Sequence, residues 1–207
     1  MKNNLKPFIR VLAFVCLLGV GLFYIMSLFW ENELIYQLPT PVPQDYEVRL
    51  NGTFIETQKV LEWDQKRPLF LNFYQKKCPC SRFNSKKFNA LVRTYGDDID
   101  FRVVLQSSDS IEYWDFLDKY RLDVPVVLDN NGAIADLVGV YSTPQAAILK
   151  TNNELYYRGN YNKAKFCTQK ETEFARIALE SLLDNKPLPI FSERSTIAYG
   201  CELPSDI

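Results

Sequence analysis

The chain has 207 residues, and its 24 lysines and arginines nearly balance its 25 aspartates and glutamates, for a formal net charge of −1. This balance gives no support to a nucleic-acid partner, because proteins that bind nucleic acid carry an excess of positive charge. The sequence contains no histidine, which excludes Ser-His-Asp and Cys-His catalysis and every metal or haem site that needs a histidine ligand. The chemistry must come from thiols, carboxylates or amines.

An uncharged apolar segment, residues 11–30, is long enough to cross a bilayer as a helix. Basic residues precede it and acidic residues follow it, so the positive-inside rule predicts that residues 1–10 are cytoplasmic and that the rest is extracytoplasmic, or periplasmic in a Gram-negative bacterium. A cleaved signal peptide is the alternative, but its apolar core is normally shorter and ends in small residues. We therefore favour an uncleaved single-pass anchor, in which Cys16 is an apolar filler.

Residues 31–45 contain several prolines and are predicted to form an extended spacer. A single globular domain is predicted over residues 46–190, with a cysteine-containing tail over residues 191–207. Alternating apolar residues at 46–50, followed by an Asn-Gly pair, predict a first strand that ends in a tight turn.

The most informative motif is Cys78-Pro79-Cys80, which follows an apolar run at residues 69–74 and begins a helix-like stretch. Pro79 suits the first helical position, because its missing N–H would have no partner there. Cys78 then becomes the N-cap, where its sulfur accepts hydrogen bonds from backbone N–H groups and experiences the positive end of the helix dipole.

The charge around the motif also favours a thiolate. Lys76 and Lys77 directly precede it, and positive charge lowers the pKa of a thiol below its usual value of about 8.5. Because the thiolate is the reactive form, Cys78 is the candidate nucleophile. The alternative is that these lysines only belong to a solvated surface.

Apolar periodicity predicts that strands and helices alternate beyond the motif. The elements are a helix that ends at Gly96, a strand at 99–105, a helix capped by Asp109, a strand at 125–128, a short helix after Gly132, a hairpin at 146–158 and a helix at 168–185. This alternation predicts an α/β fold with a largely parallel sheet, covered on both faces and completed by an antiparallel hairpin.

This order of elements, with a cysteine pair after the first core strand, resembles the thioredoxin-like superfamily, nearest to its membrane-anchored TlpA-like and peroxiredoxin-type (AhpC/TSA, redoxin) members. The resemblance covers residues 68–186 and includes a D-x-x-G turn at 129–132, the pair Thr143-Pro144 and a Y-R-G sequence at 157–159. It implies a three-layer sandwich with a central mixed sheet. It also implies that Thr143 and Pro144 form a cis-proline loop that faces the cysteines and receives the substrate backbone.

Two positions depart from that family. Only one residue separates the cysteines instead of two, so a disulfide between Cys78 and Cys80 would close a strained ring and would be easily reduced. Asn72 occupies the position where thioredoxins often bury an aspartate that accepts protons. Because asparagine cannot act as a general base, the sequence does not favour fast thioredoxin-like reduction.

Cys167 and Cys201 complete the cysteines of the predicted extracytoplasmic region. They form a structural disulfide with each other, or Cys201 resolves a mixed disulfide at Cys78, or both are unrelated free thiols. Sequence alone cannot choose among these pairings.

The leading hypothesis is a membrane-anchored thiol-disulfide oxidoreductase that acts on thiols or disulfides of partner proteins and needs no cofactor and no metal. In this hypothesis Cys78 attacks, Cys80 resolves the mixed disulfide, and Thr143 and Pro144 orient the partner. The substrate, the direction of the reaction and the oligomeric state are not indicated.

Three other hypotheses compete with it. A Cu(I) carrier would use Cys78 and Cys80, with or without Cys201, since closely spaced thiolates suit that ion. Peroxide reduction would oxidise Cys78 to a sulfenic acid, but the P-x-x-x-T-x-x-C pattern of peroxiredoxins is missing before Cys78. In the third, a non-catalytic thioredoxin-fold domain recruits another membrane protein.

Overall fold

The computed structural model describes residues 5–31, 38–76, 78–107, 110–120, 124–163 and 170–203. It divides into two compact units, Met1–Leu38 and Pro39–Ile207. The first unit contains helix α1, Leu5–Phe29, of which Pro7–Phe29 is long and apolar enough to cross a membrane. The predicted apolar segment therefore forms a helix that is a candidate membrane span.

The second unit is built from short strands and helices that alternate along the chain. The strands are β1 (Leu69–Tyr74), β2 (Asp100–Leu105), β3 (Val126–Leu128), β4 (Ser142–Thr143), β5 (Gln145–Leu149), β6 (Leu155–Asn160) and β7 (Cys201–Glu202). The helices are α2 (Pro79–Tyr95), α3 (Ser110–Tyr120), α4 (Ala133–Val138) and α5 (Phe174–Leu183).

Five strands form one mixed sheet in the order β3-β2-β1-β5-β6. Strand β1 is parallel to β2, and β2 is parallel to β3, because helices α2 and α3 return the chain to the same edge. Strand β5 is antiparallel to both β1 and β6, the latter through a tight hairpin. This topology confirms the predicted thioredoxin-like α/β fold.

Successive residues of β1 enter cores on opposite faces of the sheet, as the pleat requires. Phe70 packs with residues of α2 and α5, such as Phe88 and Phe174. Leu71 packs on the other face with Ile134 of α4. All six residues of β1 are buried, which explains why every residue of the strand except Asn72 is apolar or aromatic.

Two predicted elements differ from the structure. Residues 46–50 form a loop and not a strand. Val48 and Leu50 are exposed, and pairing with the sheet begins at the following turn, with the hydrogen bond from Gly52 N to Leu155 O (2.7 Å). The last helix begins at Phe174, later than predicted, and residues 164–169 before it lie outside the described residues, as does Asp109.

The D-x-x-G turn positions α4. The buried Asp129 carboxylate accepts hydrogen bonds from the backbone N–H groups of Ile134 and Ala135, each at 3.0 Å. Gly132 adopts a φ of 70°, a conformation that glycine reaches without a steric penalty. The carboxylate therefore satisfies two of the backbone donors that the start of a helix leaves without a partner.

We expect the substitution D129A to lower the free energy of unfolding by about 1–2 kcal/mol, because both backbone donors become buried without a partner. Burial raises the pKa of the Asp129 carboxyl, against the opposing effect of the backbone N–H groups. The amide of D129N keeps one acceptor oxygen and can satisfy one of the two backbone donors, so D129N should cost less than D129A. Urea unfolding followed by tryptophan fluorescence measures both, and a D129A curve that overlays the wild-type curve would contradict the assignment.

Candidate redox site

The cysteine motif lies at the junction between β1 and α2, as the sequence predicts. Cys78 is the N-cap residue of α2, with φ −78° and ψ 117°, and Pro79 is the first helical residue. A hydrogen bond from Cys78 N to Gln75 O (3.1 Å) closes the turn that leads into the helix. Cys78 is only 1% exposed, so its sulfur lies beneath neighbouring segments.

Cys78 forms a disulfide with Cys201, and their Cα atoms are 5.9 Å apart. Cys80 is 3% exposed and takes no part in this bond, and Cys167 lies outside the described residues. The sequence left open three arrangements of Cys201, and in one of them Cys201 meets Cys78, the candidate nucleophile. The bond corresponds to that arrangement. Cys80, two positions further along the chain, lies outside this bond.

The predicted capping role of the Cys78 sulfur is wrong for this oxidised form. The Cys78 side chain makes no capping hydrogen bond to α2, since the sulfur is bonded to Cys201 instead. Lys76 lies in the turn before the motif, and Lys77 lies outside the described residues. Their effect on a Cys78 thiolate stays a prediction.

The predicted cis-proline loop is confirmed. The peptide bond between Thr143 and Pro144 is cis, and the Cys78 Sγ atom lies 3.6 Å from the Thr143 carbonyl oxygen. The buried hydroxyls of Ser81 and Thr143 share a hydrogen bond that ties the loop to α2. Sequence reasoning missed Ser81, because only the fold brings it to this loop.

The tail reaches the site as a strand. Strand β7 pairs antiparallel with β4, with Cys201 opposite Thr143 and Glu202 opposite Ser142. The Ser142 hydroxyl donates to Cys201 O at 3.1 Å, and Leu203 N donates to Tyr141 O at 3.1 Å. The tail is therefore held by backbone and side-chain hydrogen bonds as well as by the disulfide.

The other side of the tail contacts the start of the second unit. Thr40 N donates to Ala198 O at 2.8 Å, and Pro39 and Tyr199 form an isolated antiparallel bridge. The hydroxyls of Thr40 and Ser142 share a hydrogen bond of 2.9 Å. Part of the proline-containing segment thus contributes to the site, which sequence reasoning did not anticipate.

Two glycines allow the tail to approach the domain. Gly200 has a φ of +132°, and a Cβ atom there would lie 2.1 Å from the Thr143 carbonyl oxygen. Gly159 of the Y-R-G sequence has a φ of +157°, and a Cβ atom there would lie 2.0 Å from Ser195 O. Any larger residue at either position would require the backbone to shift.

The polar side chains of β1, the strand that leads to the motif, include no carboxylate. Asn72 is 3% exposed and accepts a hydrogen bond from the Tyr161 hydroxyl at 2.8 Å, so an amide fills the position where thioredoxins often bury a carboxylate. Burial raises the pKa of Tyr74, and a hydrogen bond with Tyr120 raises it further. The Tyr74 phenol therefore stays protonated at neutral pH.

Within the described ranges, no group of three or more cysteine, aspartate or glutamate side chains is placed to hold a metal ion. The Cu(I) hypothesis requires the thiolates of Cys78 and Cys80, and Cys78 is bonded to Cys201 here. Cu(I) binding would therefore require prior reduction of this disulfide.

Comparisons with known proteins agree with this fold. A family model described as "Domain of unknown function (DUF6436)" matches residues 50–202. The comparison with curated proteins finds no match.

Solved structures share the fold at low identity. A hypothetical protein from Sinorhizobium meliloti 1021 is 15% identical, with a TM-score of 0.60 over 76% of this chain and 96% of its own. An uncharacterized conserved protein from Geobacillus kaustophilus is 18% identical, with a TM-score of 0.55 over 66% of this chain and 76% of its own. At these identities the likeness extends to the fold alone.

Proposed function

This chain belongs to the DUF6436 family, and from the geometry of its cysteines we propose that it is a membrane-anchored, extracytoplasmic thiol-disulfide oxidoreductase. The observation that carries the proposal is the disulfide between Cys78, at the N-terminus of α2, and Cys201, beside the cis-proline loop. A purely structural disulfide has no need for a cysteine at the start of a helix. A reactive cysteine does, because its thiolate is stabilised there.

The reaction exchanges one disulfide for another. In the oxidising direction, a partner thiolate attacks one sulfur of the Cys78–Cys201 disulfide, a mixed disulfide forms, and the other protein sulfur leaves as a thiolate. A second partner thiol then attacks the mixed disulfide, so the partner gains a disulfide and both protein cysteines are reduced. The reverse sequence reduces a partner disulfide. Two electrons move in each direction, and no cofactor takes part.

We assign Cys78 as the nucleophile, because the start of α2 stabilises its thiolate. The disulfide supports Cys201 as the resolving cysteine, in place of the Cys80 that the spacing of the motif favours. In the proposal Thr143 and Pro144 orient the partner backbone, and Lys76 and Lys77 lower the pKa of the Cys78 thiol. The partners are proteins that carry reactive thiols or disulfides.

The membrane topology is part of the proposal. Residues 1–10 are cytoplasmic, residues 11–30 cross the membrane, residues 31–45 form the spacer, of which residues 39 and 40 also pair with the tail, and the domain (46–190) and tail (191–207) are extracytoplasmic. The apolar helix α1 and the charges on either side of it support this orientation, and so does a disulfide, which persists in oxidising compartments. Within the thioredoxin-like superfamily we place the chain nearest to the TlpA-like and peroxiredoxin-type proteins, on the D-x-x-G and Y-R-G sequences.

Single serine substitutions in the full-length protein, purified in detergent micelles, test the assignment. With a reporter protein that contains scrambled disulfides, we expect C78S to reduce exchange to the rate of buffer thiols alone, because it removes the nucleophile. C201S should still attack but should accumulate the mixed disulfide, whereas C80S should not. Mass spectrometry of acid-trapped samples identifies the bonded cysteine.

Each outcome decides a separate part of the assignment. Exchange that persists in C78S would overturn Cys78 as the nucleophile, and exchange by the wild type no faster than buffer thiols alone would overturn the proposed oxidoreductase. Accumulation of the mixed disulfide in C80S and not in C201S would assign resolution to Cys80, as the spacing of the motif suggested. C16S serves as the matched control, since Cys16 lies within α1.

A further inference from the structure

Strand β7 is held at the site in the way that an extended partner segment would be held. It adds to β4 as an antiparallel strand, and its cysteine is bonded to Cys78. We propose that tail residues 198–203 are a built-in copy of the partner segment, and that the site accepts extended segments in which glycine directly precedes the reactive cysteine. This inference rests on the proposed function, since it specifies the partner of the same site.

The backbone contacts explain how a different segment could take this place. Strand β4 pairs with the tail, with Thr143 opposite Cys201. Leu203 N donates to the main-chain carbonyl of Tyr141, directly before β4, and the Ser142 hydroxyl donates to a main-chain carbonyl of the tail. Such contacts do not depend on the side chains of the bound segment. Glu202, the residue after the cysteine, is exposed, so this position tolerates many side chains.

The position before the cysteine is different. A Cβ atom at Gly200 would lie 2.1 Å from the Thr143 carbonyl oxygen and 3.4 Å from Pro144 Cδ. The clash is with backbone that the hydrogen bond between Ser81 and Thr143 fixes to α2, so it cannot be relieved by rotation of a flexible side chain. The φ of +132° adds a second penalty for L-amino acids. A partner bound in the same register meets both restrictions.

The tail and the partner segment occupy the same place, so resolution of the mixed disulfide by Cys201 also releases the partner. The reduced Cys78 thiolate attacks the cysteine of a bound partner disulfide, a bond forms between these two sulfurs, and the other partner sulfur leaves as a thiolate. The Cys201 thiolate then attacks Cys78 Sγ, which restores the intramolecular disulfide and releases the partner cysteine as a thiolate. Because both segments pair with β4, the return of the tail displaces the partner from the site.

Two matched peptides test the inference. The first, acetyl-Ala-Tyr-Gly-Cys-Glu-Leu-amide, copies residues 198–203, and the second has alanine in place of glycine. Each is activated as a mixed disulfide with thionitrobenzoate and is added to reduced full-length C201S in micelles. We expect the glycine peptide to attach to Cys78 about 10- to 100-fold faster, as measured by thionitrobenzoate release and by mapping of the modified cysteine.

A second protein, G200A/C201S, controls for the case in which the tail of C201S occupies the site and blocks both peptides. Its tail is poorly seated, so both peptides should attach faster than they do to C201S, with the same preference for glycine. Equal rates for the two peptides in both proteins would overturn the inference and leave the proposed oxidoreductase intact. Failure of both peptides to reach Cys78 in both proteins would overturn the oxidoreductase and the inference together.

Discussion

Replacement of Cys201 by serine is expected to lower the free energy of unfolding of the domain by about 2–5 kcal/mol relative to the oxidised wild type. The disulfide joins residues 123 positions apart, and a cross-link over so long a loop strongly restricts the unfolded chain. The hydrogen bonds between the tail and β4 remain in C201S. The loss therefore measures the cross-link more than the docking of the tail.

Urea unfolding of the full-length protein in micelles, followed by the fluorescence of the buried Trp63, measures the effect. Reduced wild type should unfold at the same urea concentration as C201S, because both lack the cross-link. C16S retains the disulfide and should match the oxidised wild type. If oxidised wild type and C201S unfolded together, the disulfide would contribute nothing to stability.

Replacement of Gly200 by alanine should make the Cys78–Cys201 pair easier to reduce. The new Cβ atom would lie 2.1 Å from the Thr143 carbonyl oxygen, at a φ of +132°, and strain of this kind costs about 1–3 kcal/mol. The strain is present when the tail is bonded and is relieved when the tail is released. We therefore expect the reduction potential to become more oxidising by about 20–60 mV.

A titration across glutathione ratios, with thiols trapped and mapped by mass spectrometry, gives this potential. Gly52 provides the matched control, because it also has a positive φ, +91°, but a Cβ atom there would meet no neighbouring atom within 4 Å. G52A should lower stability without moving the potential of the pair. A G200A protein with the wild-type potential would show that the tail does not need its close approach to Thr143.

The parts of the fold that follow from local sequence could be predicted. The apolar run of β1 and the proline at the first position of α2 are local signals, and both elements lie where they are expected. The Thr143-Pro144 pair also has the expected cis bond. The predicted strand at 46–50 failed because alternation is local, whereas a strand also needs a neighbouring strand as its partner.

The disulfide partner of Cys78 could not be predicted, since it depends on where the tail docks. The close spacing of Cys78 and Cys80 is visible in the sequence, but Cys78 is bonded to Cys201 instead. The position of Cys201 depends instead on Gly159 and Gly200, which leave room for the tail backbone. A glycine directly before a cysteine in a tail is a weak signal in the sequence. Its importance is visible only in the fold, where Gly200 lies against Thr143.

The separation between Cys78 and Cys201 also determines the order of events during biosynthesis. At a ribosomal rate of about 5–20 residues per second, the 123 positions between them take roughly 6–25 s to synthesise. During this interval Cys80 is already present and Cys201 is not. The Cys78–Cys201 disulfide therefore forms only after the last strand has been synthesised.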